Sequence, residues 1–259
     1  MSKTEAVVYA NPDLLAAAAA ARLVTRLVDV QAAKGYAALV LTGGSTGIAV
    51  LEELHRSPAR DAVDWAHLDI YWGDERFVPA DSDERNEKQA RKALLDHVPV
   101  DPKRVHAMAA SDGEFGNNPD AAAAAYAKVL AENARPEDHG DVPTFDIMLL
   151  GLGGEGHTAS VFPESPAVYE TERSVVAVRN CPKPPPTRIT MTLPTIRRSL
   201  EVWLMTAGES KADAVALALA GAGEVQLPVA GACGQRRTLW LLDRAAAGKL
   251  TKVYRPPLA

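Results

Sequence analysis

The segment Gly151-Leu152-Gly153-Gly154-Glu155-Gly156-His157 sets an imidazole at the end of a glycine-rich turn. Glycines let the backbone turn sharply and present N–H groups to an anion. Before the turn, Ile147 to Leu150 run without a polar break, as in a strand covered on both faces. His157 therefore falls at the carboxyl edge of a sheet, where open α/β sheets bind ligands. An imidazole there is a candidate general base. The other histidines (His55, His67, His97, His106 and His139) lack such a setting. No two have the spacing of metal ligands, so no metal site is expected.

A second turn, Thr42-Gly43-Gly44-Ser45-Thr46-Gly47, follows the apolar run Ala37–Leu41 and precedes a helical pattern marked by Ile48, Leu51 and Leu54. Strand, glycine turn and helix N-terminus together suit a phosphate. Free N–H groups and the helix dipole favour an anion there, and Ser45 and Thr46 add hydroxyl donors. A tight turn with a Ser/Thr cap is the plainer reading. No Lys follows the last Gly, so the ATP-binding pattern is absent.

Three further stretches carry charge. Asp74-Glu75-Arg76 follows the strand Leu68–Trp72 and reads either as side chains in a ligand crevice or as a solvated loop. Arg188 heads the alternating pattern RITMTL, delivered by Cys181-Pro182-Lys183-Pro184-Pro185-Pro186, which reads as rigid and extended. Lys211 opens a helix running to Leu219. A cation there opposes the macrodipole, which a bound anion would explain.

The elements that must position these residues alternate along the chain. Strands are expected at Glu5–Ala10, Ala37–Leu41, Leu68–Trp72, Ile147–Leu150, Ser174–Arg179, from Arg188, at Glu201–Thr206 and at Thr238–Leu242. Helices are expected from Asn11-Pro12-Asp13 to Lys34, where Gly35 stops the run, and over Asp83–His97, Ala121–Asn133, Lys211–Leu219 and Arg244–Leu250. This alternation predicts an α/β fold with one doubly wound, mostly parallel sheet, and a single domain over residues 1–259.

Composition bounds the function. A 47% hydrophobic content supports a sizeable core in 259 residues. The net charge of −5 argues against a general nucleic-acid binder, but not against a local cationic pocket for a small anion. Two cysteines, Cys181 and Cys233, are too few for a disulfide framework. The N-terminus is too polar for a signal peptide. Arg22, Arg26 and Asp29 interrupt the alanine-rich run, so no membrane span is expected, and a cytoplasmic setting follows.

The central turn also matches G-x-G-x-x-G. His157 and Pro163 stand where the phosphate-binding helix of a dinucleotide site should run, and no acidic residue ends the next strand, at Arg179. A dinucleotide is therefore not expected, nor any other cofactor.

LTGGSTG, WGDERFVP, GLGGEGHTASVFP, RITMTLP and GESKADAV together, in this order, resemble the 6-phosphogluconolactonases over roughly Leu39 to Leu219. The resemblance implies a Rossmann-like fold shared with glucosamine-6-phosphate deaminases. It implies hydrolysis of 6-phospho-D-glucono-1,5-lactone, a small sugar-phosphate lactone, without a metal. It makes His157 the base, with Asp74 orienting it or a substrate hydroxyl. The oxyanion would be met by Arg76 or by N–H groups of the turn containing Gly153 and Glu155. The phosphate would lie on Gly43, Gly44, Ser45 and Thr46, with Arg188 and Lys211. Glu155 stands where these enzymes usually carry Asp. The sibling deaminases carry Glu before the Pro of the histidine motif, where this chain has Phe162, and Tyr where it has Arg76. Both differences favour the lactonase. A non-catalytic sugar-phosphate sensor is the alternative of another class; such regulators usually append a DNA-binding segment, and no basic segment precedes the domain here. The oligomeric state is left open.

Overall fold

The computed structural model describes residues 3–250. In chain order the elements begin with strand β1 (Lys3–Tyr9), helix α1 (Pro12–Lys34), β2 (Ala37–Leu41), α2 (Gly44–Arg56), β3 (Leu68–Trp72) and β4 (Asp74–Arg76). There follow α3 (Asn86–Ala93), β5 (Val105–His106), α4 (Pro119–Asn133), β6 (Ile147–Leu150), β7 (Val175–Val178) and β8 (Arg188–Met191). The chain continues through α5 (Leu193–Ile196), β9 (Glu201–Thr206), α6 (Ala212–Leu219) and β10 (Arg237–Asp243).

Local signals account for several boundaries. Asn11 Oδ1 accepts from Leu14 N–H at 2.9 Å to start α1. Gly35, at φ +79°, ends it in the left-handed region and donates to Gln31 O.

Seven strands form one parallel sheet in the order β1-β10-β9-β6-β2-β3-β5. Alternate side chains feed two cores. Leu39, Leu41, Ile70, Trp72, Ile147 and Leu149 pack with α1, α2 and α3. Val40, Tyr71, Met148 and Leu150 pack with α4 and α6 on the other face. From β2 the chain progresses to β3 and β5 on one side. From β6 it progresses to β9 and β10 on the other. The adjacent pair β2 and β6 is therefore the switch point, and the two glycine turns leave its carboxyl ends side by side.

The structure departs from the sequence expectation at four places. First, β4, β8 and β7 form a separate antiparallel sheet. Asp74-Glu75-Arg76 is thus a buried strand and not a solvated loop; Glu75 is fully buried. Second, α3 begins at Asn86, not Asp83, because the Glu75 carboxylate accepts the N–H groups of Asn86 (2.7 Å) and Glu87 (2.9 Å). A cap borrowed from another element sets this boundary. Third, the segment Cys181 to Pro186 is a closed loop, with Cys181 N–H donating to Pro186 O at 3.0 Å. Fourth, residues 244–250 form turns and no helix. Asp243 Oδ1 captures Ala246 N–H; a single four-residue bond, from Ala247 to Asp243 O, follows, and then the bonds span three residues, from Gly248 to Ala245 and from Leu250 to Ala247. No helix among the described residues is long and apolar enough to cross a membrane.

Candidate active site

At the switch point a cleft of about 140 Å³ is lined by Gly43, Gly44, Asp74, Arg76, Asn86 and His157, with Thr42, Gly151, Leu152, Ala159 and Arg188 completing its wall. Residues from both glycine turns and from the small sheet meet here.

The ladder between β4 and β8 does much of the positioning. Its register sets Asp74 opposite Thr190 and Arg76 opposite Arg188. Like charges directly opposed across a ladder are unfavourable unless countered. Asp74 supplies part of the counter-charge, with Oδ2 4.0 Å from Arg188 Nη1. Two guanidinium groups against one carboxylate still leave the charged lining with a positive excess, suited to an anion. Arg76 Nη1 donates to Glu84 O at 2.6 Å, while its buried Nε has no hydrogen-bond partner among the described residues. Arg188 is held by the proline-rich loop: Nε donates to Pro185 O (2.7 Å) and Nη2 to Pro184 O (3.1 Å) and Lys183 O (3.2 Å).

The first glycine turn is shaped by its neighbours. A Cβ on Gly43 would lie 1.9 Å from Asn86 Oδ1, so no larger residue fits against that side chain. Gly44 has φ +81° and opens α2. The N-terminal backbone of α2 thus faces the cleft.

His157 is held from three directions. Its Nδ1 lies 2.8 Å from Glu155 Oε1. A carboxylate only accepts, so Nδ1 carries the proton and Nε2 keeps the lone pair. The imidazole stacks on Phe162, with centroids 4.4 Å apart and planes inclined by 26°. The backbone closes the turn, with Gly153 N–H donating to His157 O and Gly156 N–H to Gly153 O, both at 2.9 Å. A Cβ on Gly153 would lie 1.9 Å from His157 Nδ1, so this glycine is demanded by ring packing. Burial holds the imidazole below its ordinary pKa of 6.5, against the raising influence of Glu155. Glu155 itself is held down at about 2: burial raises it, and hydrogen bonds from Lys183, its own backbone and His157 outweigh that.

Of the sequence-predicted residues, the cleft brings together Gly43, Gly44, Asp74, Arg76, His157 and Arg188. Ser45, Thr46, Gly153, Glu155 and Lys211 stand outside its lining. Lys211 caps the start of α6, with Nζ 3.9 Å from where a Cβ of Gly154 would lie. The carboxylate on His157 is Glu155, whereas Asp74 Oδ2 accepts from Ser160 Oγ at 2.6 Å. No helix follows Gly156, so the G-x-G-x-x-G turn lacks the dinucleotide setting. Sequence reasoning missed Asn86, Ser160 and Lys183. Ser160 lies inside the histidine motif and was open to notice; Asn86 and Lys183 carry no local signal. A larger cleft of about 960 Å³ is lined by Glu155, Phe162 and Lys183, but by neither His157 nor any glycine of the two turns.

A family model described as glucosamine-6-phosphate isomerases/6-phosphogluconolactonase matches residues 10–240. The chain belongs to this family. Among members of the glucosamine-6-phosphate isomerase/6-phosphogluconolactonase family, the 6-phosphogluconolactonase of Streptomyces coelicolor is 59% identical over 258 residues, covering 99% of each chain. That of Mycobacterium tuberculosis is 56% identical over 243 residues, covering 94% of this chain and 97% of its own. The solved structure of the Trypanosoma brucei 6-phosphogluconolactonase superposes with a TM-score of 0.83 at 30% identity, covering 97% of this chain and 100% of that one. The family model spans both turns of the switch point, the small sheet and the proline-rich loop, so the whole cleft lies within the matched region.

Proposed function

We propose that the protein hydrolyses 6-phospho-D-glucono-1,5-lactone to 6-phospho-D-gluconate, in the oxidative pentose phosphate pathway and in the cytoplasm. The observation that carries this reading is an imidazole with its Nδ1 proton committed to Glu155, beside a cleft lined by two arginines and a helix N-terminus. The names of relatives at 56–59% identity support the same substrate.

A δ-lactone is an activated ester, and its hydrolysis needs a water, a base and donors for the oxyanion. In the proposed scheme His157 Nε2 takes a proton from water as the oxygen attacks the lactone carbonyl. The tetrahedral intermediate collapses with cleavage of the bond between the carbonyl carbon and the ring oxygen. The imidazolium returns its proton to that departing oxygen, leaving a hydroxyl and a carboxylic acid that ionises. One carbon–oxygen bond forms, one breaks, and no atom is oxidised or reduced, so with His157 as the base the scheme asks for no metal or cofactor. General-base assistance is worth roughly 10²–10⁴ in rate.

Gly153 and Gly156 spend their N–H groups inside the turn, which favours Arg76 as an oxyanion donor. Asp74, fixed by Ser160, lies at the floor as an acceptor for a substrate hydroxyl. The phosphate is assigned to the Gly43–Thr46 turn with Arg188 and Lys211, the lysine reaching it from the rim. The test is lactone hydrolysis measured above the spontaneous rate, together with a crystal soaked in 6-phosphogluconate. Absence of catalysis by folded protein would overturn the reading.

A further inference from the structure

Glu155 is gripped from both sides. Its Oε1 faces His157 Nδ1 at 2.8 Å, and its Oε2 accepts from Lys183 Nζ at 2.9 Å. Lys183 belongs to the closed proline-rich loop, some thirty residues away in sequence. We propose that Lys183 is a positioning residue for the His157 base, acting through Glu155 by pinning the carboxylate that orients the ring and by cancelling part of its charge. This rests on the hydrolytic role assigned to His157 above.

Geometry gives the reason. A glutamate carries one more methylene than an aspartate and has more rotamers to lose on fixing its carboxylate. With only one oxygen on the imidazole, the other would be free to swing the group away. The ammonium occupies that second oxygen and closes a Lys–Glu–His chain. A backbone contribution from the same loop is separate: the carbonyls of Lys183, Pro184 and Pro185 hold Arg188. The Lys183 side chain can therefore be altered without removing a single bond to Arg188.

Electrostatics point the same way. The charged groups facing His157 are Glu155 on its own turn, Lys183 on the proline-rich loop and Asp74 on β4; Lys211 faces Glu155 from the start of α6, and Arg76 and Arg188 share the cleft. Glu155 and Asp74 raise the imidazole pKa, and Lys183 lowers it. Burial alone lowers it further. Without Lys183 the Glu155 charge would act on His157 uncompensated, and the ring would hold its proton to higher pH.

The experiment compares the native protein with Lys183→Met and Lys183→Arg. His157 is titrated directly by NMR of its Cε1–H resonance, identified by its loss in His157→Asn. The pH dependence of kcat/KM is measured with 6-phosphogluconolactone and with unphosphorylated gluconolactone. Lys183→Met should move the His157 midpoint to higher pH, and Lys183→Arg should return it towards native. For both lactones, Lys183→Met should lose additional kcat/KM on the acid side relative to pH 8, approaching about threefold well below the His157 midpoint, the limit for a shift of about half a unit in the base. An unmoved or lowered midpoint overturns the proposal. So does a loss confined to KM for the phosphorylated lactone at every pH, which would make Lys183 a phosphate ligand. If neither lactone is hydrolysed, the assigned reaction fails, while the NMR titration still decides whether Lys183 governs His157.

Discussion

His157 lies face to face with Phe162, ring centroids 4.4 Å apart, so the flank of the imidazole opposite no carboxylate is closed by hydrocarbon. The resemblance of the motifs implies a Glu at this position in the deaminases, paired with the histidine in ring opening. Here the only carboxylate bonded to the imidazole is Glu155, among the described residues. Glucosamine 6-phosphate should therefore not be deaminated. We expect ammonia release from it to fall at least about 100-fold below lactone hydrolysis, the scale of a missing acid–base group. Comparable rates would reverse the choice between the two branches.

His157→Asn should cut kcat by roughly 10²–10⁴ and leave KM nearly unchanged, because a base acts in the transition state. The native kcat/KM should fall on the acid side as the imidazole takes up a proton. Since burial lowers that pKa, the limb should lie below pH 6.5. It should vanish in the variant, leaving a flat residual rate from the oxyanion donors and positioning. Native kcat in a folded His157→Asn protein would move attention to Asp74.

Lys211 is half-buried and not part of the cleft wall; its Nζ lies 3.9 Å from where a Cβ of Gly154 would be, and its pKa is lowered by burial and by Lys183. Lys211→Ala should raise KM strongly for the phosphorylated lactone. Unphosphorylated gluconolactone should be a poor substrate of the native protein and should lose much less. Equal losses with both lactones would take Lys211 out of the phosphate site.

Glu75 offers a test of stability separate from catalysis. It accepts from Arg76, Asn86 and Glu87 N–H groups and lies 3.8 Å from Arg85 Nη2. Burial nevertheless pushes its carboxyl from the ordinary 4.5 up to about 7. Between those values the folded protein keeps a proton that the unfolded chain has released. Its contribution to stability is therefore fully present below pH 4.5 and declines as the pH rises towards 7. Glu155, held at about 2, has the opposite sign: its contribution is present above pH 4.5 and is lost as the pH falls towards 2. Glu75→Gln should destabilise the protein by about 1–3 kcal/mol at pH 5, as a buried N–H loses its acceptor. The Tm difference between native and variant should narrow from pH 5 to pH 7.5. A difference that stays constant over that range would show Glu75 to be ionised throughout.

Much of this protein is legible in the order of its residues. Apolar runs of four or five, each ending in glycine, mark β2 and β6 and the turns that follow them. These signals are local: strand period, cap and glycine all lie within ten residues of each other. The motif strings likewise pointed to the family whose model matches residues 10–240. His157, the Gly43–Gly44 turn, Asp74, Arg76 and Arg188 were all singled out from their positions at strand ends, and they share one cleft.

Tertiary structure alone decided how they are wired. Asp74-Glu75-Arg76 reads as a charged cluster in a crevice or a solvated loop because three charges in a row have no strand propensity, yet pairing with β8 buries Asp74 and Glu75 and sets the two arginines opposite each other. The start of α3 depends on a carboxylate eleven residues upstream on another element. The partner of His157 is Glu155, with Lys183 behind it, while Asp74 belongs to Ser160. Sequence spacing restricts which side chains can reach a common edge of the sheet. Which of them touch depends on strand register and loop closure, and those are set by contacts between residues 28 to 114 apart, such as Glu155 with Lys183 and Asp74 with Arg188.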